Sequence, residues 1–147
     1  MENFQMDDNL RTAFDAAAGH FLEQLQQQTP LTPDNWVEAL KAGGIPEELN
    51  RVLPRCPEQR TAEDQFIHTV CVKLLLMATG MGIEMHQREW EVMYHRCGLT
   101  DGKIHTREET GVLFGVSKNR IRMVEEKFFR KIRHILVRHR NLREFLD

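Results

Sequence analysis

Apolar residues recur at intervals of three and four in the first part of the chain, which predicts amphipathic α-helices. The first helix is expected over residues 8–28, with an apolar stripe formed by Leu10, Phe14, Ala17, Phe21 and Leu25. A second helix should begin after Thr32, a hydroxyl cap, with Pro33 at its first position, and should end at Gly43 and Gly44. Its inward residues are predicted to be Trp36, Val37 and Leu40.

Two further helices are predicted before residue 86. A short one is indicated by Ile45, Leu49, Val52 and Leu53. Residues 54–60 contain two prolines and no apolar period, so a connection is expected there. Thr61 and Asp64 then match the cap of a strongly apolar helix that ends near residues 79–82. Its apolar residues include Phe66, Ile67, Val70, Leu74 and Met77. Core packing explains such stripes better than a cofactor pocket, and the lack of an alternating strand pattern predicts an all-α fold.

The second half of the chain carries the pattern of two helices that cross at a tight turn. Thr106 and Glu109 match a capping box, so a helix is expected to begin there. Gly111, Gly115 and Ile121 follow at steps of four and six. Gly111 permits two helices to approach closely, Gly115 suits the turn, and the branched Ile121 anchors the second helix. The spacing therefore predicts a helix-turn-helix.

The second helix of this pair has an apolar side and an opposite, polar side. Ser117 is placed to cap the helix, and its inward stripe is predicted to be Ile121, Val124, Phe128, Ile132 and Leu136. At about 100° per residue, the outward side near its start carries Lys118, Asn119, Arg122 and Met123. Lysine and arginine suit guanine, asparagine suits adenine and methionine can lie against a thymine methyl, so these four residues are predicted to contact bases in a major groove. Phosphate contacts are predicted for Arg107, Arg120, Lys127, Arg130, Lys131 and Arg133.

Charge is distributed unevenly along the 147 residues, a length that suits one domain or two small ones. Residues 1–85 carry 6 basic and 13 acidic side chains, whereas residues 86–147 carry 14 basic and 9 acidic ones. Within residues 118–143 there are 10 basic side chains against Glu125 and Glu126 alone. A surface of this kind attracts polyanions such as nucleic acid, although a basic helix that is merely solvated would have the same composition.

Several classes of protein are disfavoured by what the sequence lacks. No run of eighteen apolar residues and no signal-peptide start is present, so a cytoplasmic protein without membrane contacts is expected. Cys56, Cys71 and Cys97 lack CxxC spacing, which disfavours a disulfide framework and a zinc–thiolate site. No phosphate-binding glycine loop, HExxH or GxSxG motif occurs, so no enzymatic activity, cofactor or metal is expected. No metal-ligand pattern was found among His20, His68, His86, His95, His105, His134 and His139.

The segment "REWEVMYHRCGLTDGKIHTREETGVLFGVSKNRIRMVEEKFFRKIRH" resembles region four of bacterial sigma factors of the sigma-seventy family. The resemblance covers roughly residues 86–147, and residues 1–85 show none. It implies a helix-turn-helix that binds the minus-thirty-five promoter element, and docking on the flap of the RNA polymerase beta subunit. It also places the base contacts at Lys118, Asn119, Arg122 and Met123. Where this sequence has Asn119 and Met123, the family usually has Glu and Gln, so the target site is expected to differ from the usual promoter element.

The resemblance also bears on the polymerase contact and on the division of labour in the chain. Flap docking would involve the region that contains Trp90, Val92, Met93, Tyr94, Leu113 and Phe114, although core packing is the better explanation for any single one of them. Residues 1–85 are acidic and unlike the sigma domain that grips the polymerase clamp and captures a melted strand. They are therefore expected to form a helical module for dimerisation or partner binding, followed by a DNA-binding domain at residues 86–147, and the protein should not open promoters alone.

The expected function is sequence-specific DNA binding by a sigma-like transcription regulator. Two alternatives remain open. In the first, the helix-turn-helix docks on RNA polymerase or on a sigma factor without contacting DNA bases. In the second, the protein is a homodimeric repressor whose two recognition helices are about one duplex turn, ~34 Å, apart.

Overall fold

The helical periods of the sequence correspond to seven α-helices in the described part of a computed structural model. The structure describes residues 6–55 and 61–146, and for residues 139–146 the helical backbone alone. The helices are α1 (Asp8–Gln28), α2 (Trp36–Lys41), α3 (Glu47–Asn50), α4 (Ala62–Met81), α5 (Gln87–Arg96), α6 (Arg107–Phe114) and α7 (Lys118–Leu146). Because these residues contain no strand, the predicted all-α class is confirmed for the described ranges. No helix within them is both long and apolar enough to cross a bilayer.

Side chains satisfy the first backbone N–H groups of the long helices, as the sequence predicts. Thr61 Oγ1 accepts a hydrogen bond from the Asp64 amide at 3.1 Å and so caps α4. Ser117 Oγ accepts one from the Arg120 amide, also at 3.1 Å, at the start of α7. These bonds replace water for donors that have no partner inside the helix, so they fix where each helix begins. The predicted caps of α4 and α7 are confirmed.

The second helix differs from its prediction at its start and on its buried side. Thr32 Oγ1 accepts from the Asn35 amide at 3.1 Å, and residues 33–35 form a turn, so α2 begins at Trp36 rather than at Pro33. The prediction that Val37 faces inward is wrong, because its side chain is 44% exposed. A helix of six residues has one buried side, and here Trp36 and Leu40, one turn apart, occupy it with Ala39.

The apolar start of α4 also lies outside the core. Phe66 and Ile67 are 48% and 41% exposed, whereas the buried residues run without a break from Val72 to Ala78. Core packing was therefore the wrong interpretation of the first turns of this helix. Val52 is likewise 39% exposed, because α3 ends at Asn50 and leaves it in the following turn. Composition alone cannot show which turns of an apolar helix pack against another helix.

The buried apolar side chains form one cluster that includes residues from both halves of the chain. Tyr94 of α5 packs edge-on against Phe14 of α1, with ring centroids 6.0 Å apart. Its hydroxyl accepts a hydrogen bond from Arg11 Nη1 at 3.2 Å. Trp36 of α2 lies 6.1 Å from the ring of Phe129 in α7. The division expected at residue 85 falls in the loop between α4 and α5, and the core is continuous across it.

Lys73 is a buried cation inside this core, with 1% of its surface exposed. Its Nζ donates to the carbonyl oxygens of Ala42 at 2.9 Å and Gly43 at 2.8 Å, just beyond the end of α2. Burial lowers the pKa of Lys73, because the charged form loses its hydration. The two carbonyls compensate part of that loss and fix α4 against the end of α2.

The remaining expectations from the sequence concern the cysteines, the connection at residues 54–60 and the residues considered for flap docking. Cys71 and Cys97 are not joined by a disulfide. Cys56 and residues 56–60 of the predicted connection lie outside the described residues, and so does the side chain of His139. Of the residues considered for flap docking, Val92, Met93, Tyr94 and Phe114 are buried. Their contacts therefore belong to the core of the protein.

Candidate nucleic-acid interface

The turn between α6 and α7 has the close backbone approach that the glycine spacing predicts. A Cβ atom on Gly111 would lie 2.7 Å from the carbonyl oxygen of Val116, which is too close for any other residue. Gly115 ends α6 in the left-handed region at φ 71°. Ile121 is fully buried on the second helix. The predicted capping residue Thr106 accepts from the Glu109 amide at 3.1 Å, so α6 is capped where the sequence predicts its start.

The first turns of α7 separate an apolar side from an exposed one. The predicted inward stripe is confirmed, because each of its five members is at most 4% exposed: Ile121, Val124, Phe128, Ile132 and Leu136. The exposed residues on the other side include all four predicted base contacts, Lys118, Asn119, Arg122 and Met123. We refer to these four as the reading face. Met123 keeps 47% of its surface exposed, so an apolar contact lies among three polar ones.

Arg122 is held in place on the reading face by two neighbours on the same helix. Asn119 Oδ1 accepts from Arg122 Nε at 3.1 Å and from Nη2 at 2.7 Å. Arg122 Nη1 donates to Glu126 one turn further along. The guanidinium is thereby ordered before any ligand is bound, and its charge is balanced by one carboxylate. Lys118 Nζ lies 3.2 Å from Glu108 Oε1, which joins the reading face to α6.

The six predicted phosphate contacts fall into two groups in the structure. Arg120, Arg130 and Arg133 are exposed and Lys131 is half-buried. Arg107 and Lys127 instead bind carboxylates within the protein: Arg107 Nη2 lies 2.9 Å from Glu125 Oε2, and Lys127 Nζ lies 2.8 Å from Glu89 Oε1. The exposed arginines can therefore meet phosphates directly, whereas these two cations would first have to leave an internal partner.

Glu125 is a buried carboxylate at the centre of an ion cluster that sequence reasoning missed. Its side chain is 9% exposed and binds two arginines, Arg96 of α5 through Nε at 2.7 Å and Arg107 of α6 through Nε and Nη2. Because the three residues come from α5, α6 and α7, the cluster fixes the two helices of the turn against the rest of the fold. The helical period could have indicated this cluster. Glu125 follows Ile121 by four residues, so it lies beside the buried stripe and needs a counter-ion there.

A second polar cluster lies at the loop that leads from α5 into α6. His95, Asp101 and His105 each offer a ligand atom, and these atoms all lie within 4.8 Å of one another. The imidazole rings are stacked, with centroids 3.9 Å apart and planes 16° apart. Burial, and next the charge of His105, lower the pKa of His95 to about 4. We refer to these three residues as the histidine cluster.

Sequence reasoning found no ligand pattern in these histidines because the residues come together through a loop. Gly98 and Gly102 adopt the left-handed region, with φ 80° and 78°, and the chain between them turns back toward α5. Asp101 and His105 are thereby placed beside His95, which lies on the helix. Gly98 and Gly102 were the feature of the sequence that indicated this loop, although glycines indicate a turn and not its direction.

Comparison with models of known protein families gives no match for this sequence. The residues of the interface themselves indicate its chemistry. They supply an exposed helix side with amide, cationic and apolar groups, followed by exposed arginines along the same helix. This inventory suits the donors, acceptors and methyl groups of base edges and the charge of a phosphate backbone.

Proposed function

We propose that the protein is a sequence-specific DNA-binding transcription regulator that inserts the start of α7 into a major groove. The observation that carries the proposal is the exposure of the whole reading face at the start of α7, which follows α6 after a tight turn. In helix-turn-helix motifs the first residues of the second helix contact base edges. The resemblance to region four of sigma factors, drawn from residues 86–147, supports the same assignment. We place the protein in the cytoplasm, where such a regulator would act.

Arg122 is the residue to which we assign the main base contact. An arginine recognises guanine through two parallel hydrogen bonds, and a guanidinium that is already ordered loses less entropy when it forms them. Binding at Nη1 would replace its bond to Glu126. Glu126 would then face the negatively charged duplex without its counter-ion, which lowers the net gain from the guanine contact. Where guanine is absent, Arg122 keeps its bond to Glu126, so discrimination depends on how far the guanine contact exceeds this cost.

Phosphate binding is assigned first to Arg120, Arg130 and Arg133, which are exposed along α7. Each phosphate that a protein neutralises contributes about −0.9 to the slope of log K against log salt. Arg107 and Lys127 would contribute less, because each leaves behind a carboxylate that takes up a cation. The salt dependence should therefore be smaller than the number of basic residues on α7 suggests.

The alternative is a protein-interaction module that docks on RNA polymerase or on a sigma factor without reading bases. It is favoured by apolar side chains that are exposed around the turn, because Val112 is 85% and Val116 38% exposed. Val112 lies on α6 and Val116 lies in the turn. These residues are also suited to a polymerase contact beside DNA, in which case both functions share the surface.

The proposal is tested by selecting bound sequences from a random duplex library with the full-length protein. We expect one motif to be enriched, and the selected duplex to bind far more tightly than a shuffled one when both are titrated at two salt concentrations. The control variant is Arg51→Ala. Like Arg122, Arg51 is an exposed arginine paired with a glutamate four residues away, but it lies outside α7. This variant should leave both affinities unchanged.

The opposite result would be the absence of any enriched motif, with equally weak and salt-sensitive binding of both duplexes. That outcome would contradict base reading by the isolated protein. A pull-down of purified core polymerase or of a sigma factor by the same protein, without DNA, would then test the docking alternative. Loss of that interaction in a Val112→Asp variant would assign the exposed apolar residues to it.

A further inference from the structure

The histidine cluster combines two imidazoles and a carboxylate at a point that belongs neither to the reading face nor to the phosphate contacts. We propose that His95, Asp101 and His105 bind one divalent transition-metal ion of the zinc class. Imidazole nitrogen and carboxylate oxygen are ligands that zinc accepts in proteins, and three such ligands leave a fourth position for water. The proposal does not depend on DNA binding.

The ligand atoms are nearly close enough to share an ion. In a tetrahedral zinc site with bonds of about 2.0–2.1 Å, neighbouring ligand atoms are about 3.4 Å apart. The three atoms here lie within 4.8 Å of one another, and His105 Nε2 is 2.6 Å from Asp101 Oδ2, joined by a hydrogen bond. A metal ion would replace the proton of that bond. Asp101 can adjust its position because its side chain is 45% exposed on a loop.

Both histidines also have groups that can orient them as metal ligands. Glu109 Oε2 lies 3.4 Å from His105 Nδ1, and Thr100 Oγ1 lies 3.3 Å from His95 Nδ1. With the proton on Nδ1, each ring donates to its neighbour and directs Nε2 toward the ion. A carboxylate that accepts from the second nitrogen of a ligating histidine is a recurring arrangement in zinc proteins, since it fixes the tautomer and increases the basicity of the ligand. The nearly parallel rings have to rotate apart for both nitrogens to reach the ion.

The position of the cluster determines what a bound ion would do. It would join the end of α5 to the loop that enters α6. Arg96 already bonds the carbonyl of His105 and, through Glu125, is linked to α7. The ion would therefore stabilise the same junction that holds the helix-turn-helix against the core. Without metal, the contacts of His105 with Asp101 and Glu109 hold the loop in the same place.

The test is a calorimetric titration of the chelator-treated full-length protein with Zn²⁺, followed by the absorption spectrum with Co²⁺. We expect saturable binding of one ion per chain in the micromolar range or tighter, visible ligand-field bands with Co²⁺, and a higher Tm with Zn²⁺. Asp101→Asn and His105→Ala should each weaken binding at least about tenfold, and Glu109→Gln by about tenfold, as expected for a group that orients a ligand.

The control is His134→Ala, which removes an exposed histidine outside the cluster and should leave the affinity for Zn²⁺ unchanged. Asp101→Asn changes an exposed side chain, so it keeps the test decisive if His105→Ala does not fold. Absence of saturable binding would overturn the proposal. So would binding that both Asp101→Asn and His105→Ala retain, because the ion would then be held by other residues, such as the cysteines.

Discussion

At the scale of single residues, the proposed DNA contact depends on how its side chains are held before the ligand arrives. Arg122 is ordered by Asn119 and Glu126, whereas Met123 on the same side is exposed and apolar. The polar members gain affinity from base edges, while Glu126 competes with the matching base for Arg122 and repels the duplex once it has lost that partner. Affinity and discrimination should therefore respond differently when these neighbours are changed one at a time.

We predict that Arg122→Ala weakens binding of the selected duplex by about 1–3 kcal/mol and relaxes the choice of base at one position. Binding of a shuffled duplex should change less, because only the base contact is lost. Glu126→Gln should instead strengthen binding of both duplexes, because it removes a negative charge that lies beside the phosphates in both complexes. Fluorescence anisotropy titrations at fixed salt measure both effects. An equal loss on both duplexes in Arg122→Ala would assign this arginine to phosphate contacts.

His95 should make folding stability depend on pH. Burial and the charge of His105 lower its pKa to about 4 in the folded state, against about 6.5 in an unfolded chain. Between these values the unfolded state binds the proton and the folded state does not, so the free energy of unfolding should fall as the pH decreases from about 6.5 to about 4. Urea denaturation with chelator present measures this fall, and His95→Gln should show a smaller one. Equal falls in both proteins would contradict the assignment to His95.

At the scale of elements, the orientation of α6 and α7 depends on local backbone contact and on buried charge. Gly111 permits the close approach at the turn, and Glu125 binds arginines from α5 and α6. The backbone contact sets the distance between the helices, while the ion cluster sets their placement on the core. Removing Glu125 would deprive both arginines of their shared carboxylate, whereas removing either arginine would leave Glu125 paired with the other.

Gly111→Ala should destabilise the protein, because the new methyl group would lie 2.7 Å from a backbone carbonyl oxygen that cannot move without opening the turn. We expect a loss of about 1–3 kcal/mol, the usual range for overpacking. Gly19→Ala is the matched control, since Gly19 lies within α1 and a Cβ there would meet nothing within 4 Å. It should raise stability by up to about 1 kcal/mol through helix propensity. Thermal unfolding followed by circular dichroism compares the two, and a neutral Gly111→Ala would contradict the close approach.

At the scale of the whole molecule, the acidic and basic halves share a core. Contacts such as those between Phe14 and Tyr94, or between Trp36 and Phe129, join helices from opposite ends of the chain. The acidic half therefore supports α5 and α7 directly. Any partner that moves α1 or α2 would act on α5 and α7 through these contacts.

The halves should accordingly unfold together. The sequence contains two tryptophans, Trp36 in the first half and Trp90 in the second, so each half has its own fluorescent probe. We predict that Trp36→Phe and Trp90→Phe proteins, each monitored by the remaining tryptophan, have transitions that coincide with the transition seen by circular dichroism of the same variant. A fluorescence transition displaced from the circular dichroism transition within one variant would show that the halves are separate folding units.

Local interactions explain what the sequence alone determined. The helices, their caps and the turn between α6 and α7 depend on residues within a few positions of one another. The caps are Thr61, Thr106 and Ser117, and the turn lies at Gly111 and Gly115. Periodicity also placed the reading face outward, because a helix with a complete apolar stripe can expose only its opposite side. The contact of that face with DNA stays a prediction.

The tertiary structure decided everything that depends on residues distant in sequence. The ion pairs of Arg107 with Glu125 and of Lys127 with Glu89 join positions 18 and 38 residues apart, so the sequence could not distinguish these cations from those exposed for phosphate. The exposure of Phe66 likewise depends on where neighbouring helices end. The histidine cluster forms because a loop returns to α5, and the direction of a loop follows from packing on both sides of it and has no local period.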